Sequence, residues 1–211
     1  MNIYSAIYQD DAHLAEFGKV KTIHQASQMD EPGILILHGG ADISPSIYGK
    51  TPNNLTQAST NLSDRDLTEV MLAKHAIKNN IPIFGICRGA QLSCALAGGT
   101  LVQHVTGHFA GGHAVETKDG QRYWTSTCHH QMMNPTGSKY ELLAWSAPNR
   151  STMYLGEEGE ELEVTVEPEV VYYPEIKALA IQGHPEWMDR STPFVEYCLS
   201  LVKEKLLNVS L

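Results

Sequence analysis

Ile83-Phe84-Gly85-Ile86-Cys87-Arg88-Gly89-Ala90-Gln91 joins an apolar run to a helical pattern through Gly-x-Cys-x-Gly. This is the cysteine form of a nucleophile elbow, a strand-to-helix turn that lifts one side chain out of the backbone. It also aims the first N–H groups of the next helix at whatever that side chain attacks. The flanking glycines leave room for the cramped turn. A thiol attacks once a base takes its proton, and the base needs an orienter. Gly183-His184-Pro185-Glu186 follows a second apolar run at 178–182. In an extended segment residues two apart point the same way, so His184 and Glu186 are expected on one side of a strand end. Glu186 would hold one ring nitrogen of His184 and leave the other for Cys87. Cys87, His184 and Glu186 are therefore the candidate triad.

Attack on a carbonyl carbon also needs donors for the oxyanion. The elbow supplies the N–H of Arg88. His38-Gly39-Gly40-Ala41 follows another apolar run, 34–37, and offers bare backbone N–H groups at Gly39 and Gly40. Loops of this kind open together at the carboxyl edge of a parallel sheet, where ligands usually sit.

The elements that must hold these residues read as follows. Short strands are expected at 3–8 and 20–24, with a helical pattern at 11–17 between them. Continuous apolar runs such as 34–37 suit strands buried on both faces. Residues 48–62 are rich in Pro, Asn, Thr and Ser and read as a loop. Ser63 is a good N-cap for a helix over 64–79, with Leu67, Val70, Met71 and Ile77 as its apolar stripe. The elbow helix closes at Gly98-Gly99. The Gly- and His-rich stretch 100–134 reads as loops and short strands. Strands are expected at 142–146, 164–173 and 176–182, with 157–163 as an acidic, solvated tip. An amphipathic helix is expected over 193–207. With no internal repeat and no long linker, residues 1–211 read as one α/β domain, a mostly parallel sheet flanked by helices.

The bulk numbers agree. A chain of 211 residues with 42% hydrophobic and 18% charged residues is ordinary for a globular protein. Fifteen Lys+Arg against 24 Asp+Glu give a net charge of -9, which argues against a nucleic-acid binder or docking on anionic membranes. No apolar run is long enough to span a bilayer and no signal-peptide pattern opens the chain. Cys87, Cys94, Cys128 and Cys198 lie far apart, which fits free thiols in a cytoplasmic protein.

These motifs together resemble the class I glutamine amidotransferases (peptidase C26), and within them the gamma-glutamyl-gamma-aminobutyrate hydrolase branch. Besides the elbow and Gly183-His184-Pro185-Glu186, three stretches carry the resemblance: the Gly-Gly-x-Asp-x-x-Pro-x-x-Tyr-Gly loop at 39–49, Ala97-Gly98-Gly99-Thr100-Leu101-Val102-Gln103, and Ser126-Thr127-Cys128-His129-His130-Gln131. The resemblance implies a flavodoxin-like fold, with Cys87 as nucleophile, His184 as general base and acid, and Glu186 as its orienter. Gly39, Gly40 and Arg88 would donate to the oxyanion. Gln91 and the backbone around Cys128, His129 and His130 would hold a glutamine moiety. The implied reaction is cleavage of a γ-glutamyl amide through a glutamyl thioester, with no cofactor and no metal. His38 stands where the family usually has a small residue or proline, and Trp187, directly after Glu186, is expected to line the mouth of the site.

Two enzymatic readings follow from the resemblance. One is a hydrolase acting on a small γ-glutamyl substrate. The other is a glutaminase subunit that passes ammonia to a synthetase partner in trans. A regulatory protein with a dead triad is disfavoured by the intact set. A homodimer is the expected assembly on base rates. His104, His108, His113, His129 and His130 fit no tight metal-binding spacing and are expected to line a loop-rich rim. Cys94, Met132 and Met133 are expected in the core, and Asp42 as a loop clamp or cap.

Overall fold

A computed structural model of the chain describes residues 1–7, 9, 12–58 and 61–208. Tyr8 and Asp11, the ends of two expected elements, lie outside them. The strands are β1 (Asn2–Ser5), β2 (Lys19–Thr22), β3 (Gly33–Leu37), β4 (Ile83–Ile86), β5 (Thr100–Val102), β6 (His104–Val105), β7 (Gly112–Thr117), β8 (Arg122–Ser126), β9 (Met132–Asn134), β10 (Glu141–Ser146), β11 (Tyr154–Leu155), β12 (Pro168–Tyr173) and β13 (Ala178–Ile181). The helices are α1 (Asp64–Lys78), α2 (Arg88–Leu96) and α3 (Pro193–Leu201), the last continuing as a π-helical turn over Val202–Leu206.

Among the described residues one sheet of nine strands dominates, in the order β2-β1-β3-β4-β13-β12-β10-β7-β8. β2, β1, β3, β4 and β13 run parallel. The remaining four extend the sheet antiparallel. Side chains alternate across the strands. Ile34, Ile36, Phe84, Ile86, Leu179 and Ile181 pack on one face with Phe194, Val195 and Cys198 of α3. Leu35, Leu37, Ile83, Ala178 and Ala180 pack on the other with Leu72, Ala73 and Ala76 of α1 and Ala90, Leu92 and Cys94 of α2. This is the expected α/β sandwich, and it places the carboxyl ends of β3, β4 and β13 side by side.

The helix over α1 starts where expected. Ser63 accepts from the Asp66 N–H, and Asp66 accepts from the Ser63 N–H, a reciprocal cap. Its expected apolar stripe holds in half: Val70 and Ile77 pack against the core, whereas Leu67 and Met71 are exposed. The inward face is Asp66, Glu69, Leu72, Ala73 and Ala76. Two buried carboxylates replace apolar residues because they face the Arg88 side chain. The pattern at 11–17 is also corrected: Ala12–Leu14 forms a single 3-10 turn. In the 100–134 stretch, β7 and β8 are longer than expected and join the main sheet.

Candidate active site

Cys87 sits between β4 and α2 with φ 49° and ψ -105°, the strained conformation of an elbow. Its N–H donates to Ile181 O at 2.7 Å, which pins the turn to β13. The glycines beside it are sterically required. A Cβ on Gly89 would lie 1.9 Å from Leu37 O, and one on Gly85 would lie 2.5 Å from Gly89 O.

His184 and Glu186 come from the loop after β13. His184 Nδ1 and Glu186 Oε1 are 2.7 Å apart, and both side chains are buried. The pairing is as expected, but the geometry differs. Pro185–Trp187 forms a 3-10 turn capped by His184, so the carboxylate reaches the ring around a turn rather than along a strand. His184 Nε2 is buried without a hydrogen-bond partner among the described residues. The outer face of the ring is covered by Trp187, stacked at 3.6 Å and 3°.

Gly39 lies between His184 and Cys87. A Cβ there would meet His184 Cε1 at 2.8 Å and Cys87 Cβ at 3.6 Å, so the glycine backbone passes directly beside both. Burial pushes the Cys87 thiol up to about 12, the Arg88 N–H opposes this, and the Glu186 charge adds to it. A thiol held this high is protonated near neutral pH.

Two cavities open on Cys87, Cys128 and Gly40. The smaller, about 110 Å³, is lined by Gln91, His129 and His130 with Asp42 and Phe109. The larger, about 360 Å³, lies on the His184, Glu186 and Trp187 side. All ten expected site residues except Arg88 line one or both cavities. The Arg88 side chain points away, into a buried ion-pair network with Asp66 and Glu69.

The residues that line the smaller cavity are themselves held. Gln91 Nε2 donates to Gln131 O at 3.0 Å. His129 N–H donates to His108 O at 2.9 Å. His130 Nε2 lies 3.0 Å from both Asp42 oxygens, so Asp42 is a loop clamp. Gln103 Nε2 donates to Tyr48 OH, and Gln131 Nε2 donates to Gln103 Oε1. That chain ties three of the motif stretches into one wall.

Behind the wall lies a buried cluster not foreseen as one. His108, His129 and Glu169 bring ligand-capable atoms within 4.8 Å of one another. His108 and Glu169 are already engaged: His108 Nε2 lies 3.1 Å from Glu167 Oε2, and His113 Nε2 lies 3.1 Å from Glu169 Oε1, while His129 Nδ1 lies 2.8 Å from Gln131 O. Burial opposes charge on His113, but Glu169 outweighs it and raises the group. Burial, with His108 next, holds His129 well below its ordinary value and keeps it neutral.

Asp66 and Glu69, which pair with the Arg88 side chain behind the elbow, are contacts that sequence reasoning missed. The available signal was a pair of acids at i and i+3 on one helix face, ahead of an arginine that directly follows Cys87.

The comparisons with known proteins agree with this architecture. A glutamine amidotransferase from Thermotoga maritima superposes with a TM-score of 0.55 at 14% identity, covering 97% of this chain and 85% of that one. The gamma-glutamyl-gamma-aminobutyrate hydrolase of Escherichia coli O157:H7 is 25% identical over 197 residues, 81% of this chain and 68% of that protein. Protein NtpR of Enterococcus hirae is 44% identical over 81 residues, 38% of this chain and 33% of NtpR. The chain thus matches about a third of the length of that relative. The peptidase C26 family model matches residues 19–153, more than half of the 211 residues and inclusive of the elbow, and the chain therefore belongs to the peptidase C26 family with the fold of the class I glutamine amidotransferases.

Proposed function

We propose that the protein is a hydrolase that cleaves the γ-glutamyl amide of a γ-glutamyl amine through a thioester on Cys87. The observation that carries the reading is the Glu186–His184 pair, 2.7 Å apart, with His184 Nε2 unpartnered among the described residues and the ring lining one cavity with the strained Cys87. His184 takes the thiol proton as sulfur attacks the γ-carbonyl carbon. The N–H groups of Gly39, Gly40 and Arg88 receive the oxyanion. Protonated His184 then delivers its proton to the departing nitrogen. The amine leaves, and a glutamyl thioester remains. His184 next deprotonates a water that attacks the thioester. Glutamate departs, and the proton returns to sulfur.

The two unequal cavities support a γ-glutamyl amine over glutamine. Ammonia takes about the space of one water, roughly 30 Å³. The cavity on the His184 and Trp187 side is about 360 Å³, room for a much larger leaving group. Gln91, His129 and His130 line the smaller cavity, where the glutamyl part would sit.

The test is turnover by the purified chain alone, with glutamine and a panel of γ-glutamyl amines compared by kcat/KM. Release of glutamate from a γ-glutamyl amine, faster than from glutamine and without a partner, is the expected result. Turnover of glutamine only, and only after a synthetase is added, would replace this reading with the ammonia-donating one.

A further inference from the structure

We propose that Arg65 is a positioning residue that aims the Gly39 and Gly40 N–H groups into the oxyanion site. The proposal rests on the acyl-transfer reading above. Arg65 lies in the first turn of α1, outside the motifs that carry the chemistry. Its Nη2 donates to two successive carbonyls, His38 O at 2.9 Å and Gly39 O at 3.0 Å. Both peptides are trans, and in a trans peptide the N–H points opposite to the C=O. Holding these two carbonyls on one side therefore turns the N–H groups of Gly39 and Gly40 to the other.

The other side is the triad. A substituent on Gly39 would run into His184 Cε1 and approach Cys87 Cβ. A substituent on Gly40, whose φ is 150°, would run into Arg65 Nη1 at 2.3 Å and approach Arg88 Cδ at 3.5 Å. The Gly-Gly backbone is thus a thin layer between two arginines and the reacting residues. Glycine at 40 lets the guanidinium lie flush on the loop.

Arg65 is in turn fixed. Its Nε donates to Glu69 Oε1 at 2.9 Å. Glu69 also pairs with Arg88 Nη1, and Arg88 Nη2 pairs with Asp66 Oδ1 at 2.5 Å. Arg88 carries the third oxyanion donor on its own backbone. One network of four charged side chains therefore sets both halves of the oxyanion site relative to each other. The planar guanidinium reaches Glu69 through Nε and both loop carbonyls through Nη2, a spread of donors that a lysine ammonium, a single nitrogen, does not offer.

The test compares wild type, Arg65→Lys and Arg65→Ala with γ-glutamyl-p-nitroanilide. The expected result is a kcat about 100-fold lower in both variants, the usual effect of misplacing a reacting-site group by about 1 Å, with KM changed less than about threefold. Guanidine at millimolar, non-denaturing concentration should restore part of the Arg65→Ala rate. Iodoacetamide labelling of Cys87 should be unchanged, reporting an intact elbow. The γ-aldehyde analogue of glutamate gives a readout independent of turnover. Its thiohemiacetal places an oxyanion in the same site, so its inhibition constant should rise by the same factor as kcat falls. Wild-type kcat in Arg65→Lys, or a loss that follows the melting temperature and ignores guanidine, would overturn the proposal. Absent wild-type turnover would instead count against the hydrolase reading and leave the aldehyde comparison to judge Arg65.

Discussion

At the scale of single residues, the proposed reaction separates a nucleophile that must be activated, Cys87, from a base already oriented, His184. Burial holds the Cys87 thiol up to about 12, so the sulfur of the free protein is reactive only in proportion to its small thiolate fraction. Site-resolved iodoacetamide labelling of Cys87 should rise about tenfold per pH unit from pH 7 to 10 without a plateau. A plateau near neutral pH would mean a preformed thiolate–imidazolium pair. The triad predicts a hierarchy as well. Cys87→Ala should remove at least about 10⁴-fold of kcat, and Glu186→Gln about 10³-fold, because the base loses its orienter but not its place. Steady-state kinetics with circular dichroism as a folding control separates the two. The type and spacing of Cys87, His184 and Glu186 made this much legible in sequence. The 3-10 turn over Pro185–Trp187 was not, because alternation rules assume that a strand continues past its last hydrogen bond.

At the scale of elements, α2 packs flush on the sheet because Gly89, its second residue, has no side chain to stand it off from β3. Gly89→Ala drives a methyl into Leu37 O and C at 1.9 and 2.5 Å. Both are backbone atoms that cannot rotate away. The expected cost is about 3 kcal/mol, a fall in melting temperature of roughly 6–12 °C for a chain of this size. A differential scanning trace within about 2 °C of wild type would show that α2 shifts freely. The same packing explains why α1 was half legible. Its cap at Ser63 and its length follow from local rules. Its inward face does not, since Asp66 and Glu69 are buried against the guanidinium of Arg88, 22 and 19 residues away in sequence. Removing one member of such a buried set strands the others, which is why the arrangement is all or nothing.

At the scale of the whole molecule, the parallel half of the sheet carries Cys87, His184 and Glu186, and the antiparallel half supports the wall that faces them. Continuous apolar runs marked β3, β4 and β13. β7 and β8 were less legible, because a Gly- and His-rich segment has no clean period until β10 offers an edge. Those histidines converge on Glu167 and Glu169 from β7, from the loop before it and from the loop after β8, so the cluster joins the added strands to the core. Its two best-defined members should affect stability with opposite pH dependence. The His113 group is raised in the folded chain, since Glu169 outweighs burial. Its contribution is fully present below the unfolded value of about 6.5 and is lost as pH rises through the folded value. The His129 group is lowered by burial and its histidine neighbours. Its contribution is present above about 6.5 and is lost as pH falls below it. The melting-temperature deficit of His113→Gln should therefore shrink from pH 5.5 to pH 9, and that of His129→Gln should grow. Two deficits that run parallel across this range would mean that the cluster stabilises by packing alone and that its charges do not set the attachment of the antiparallel strands.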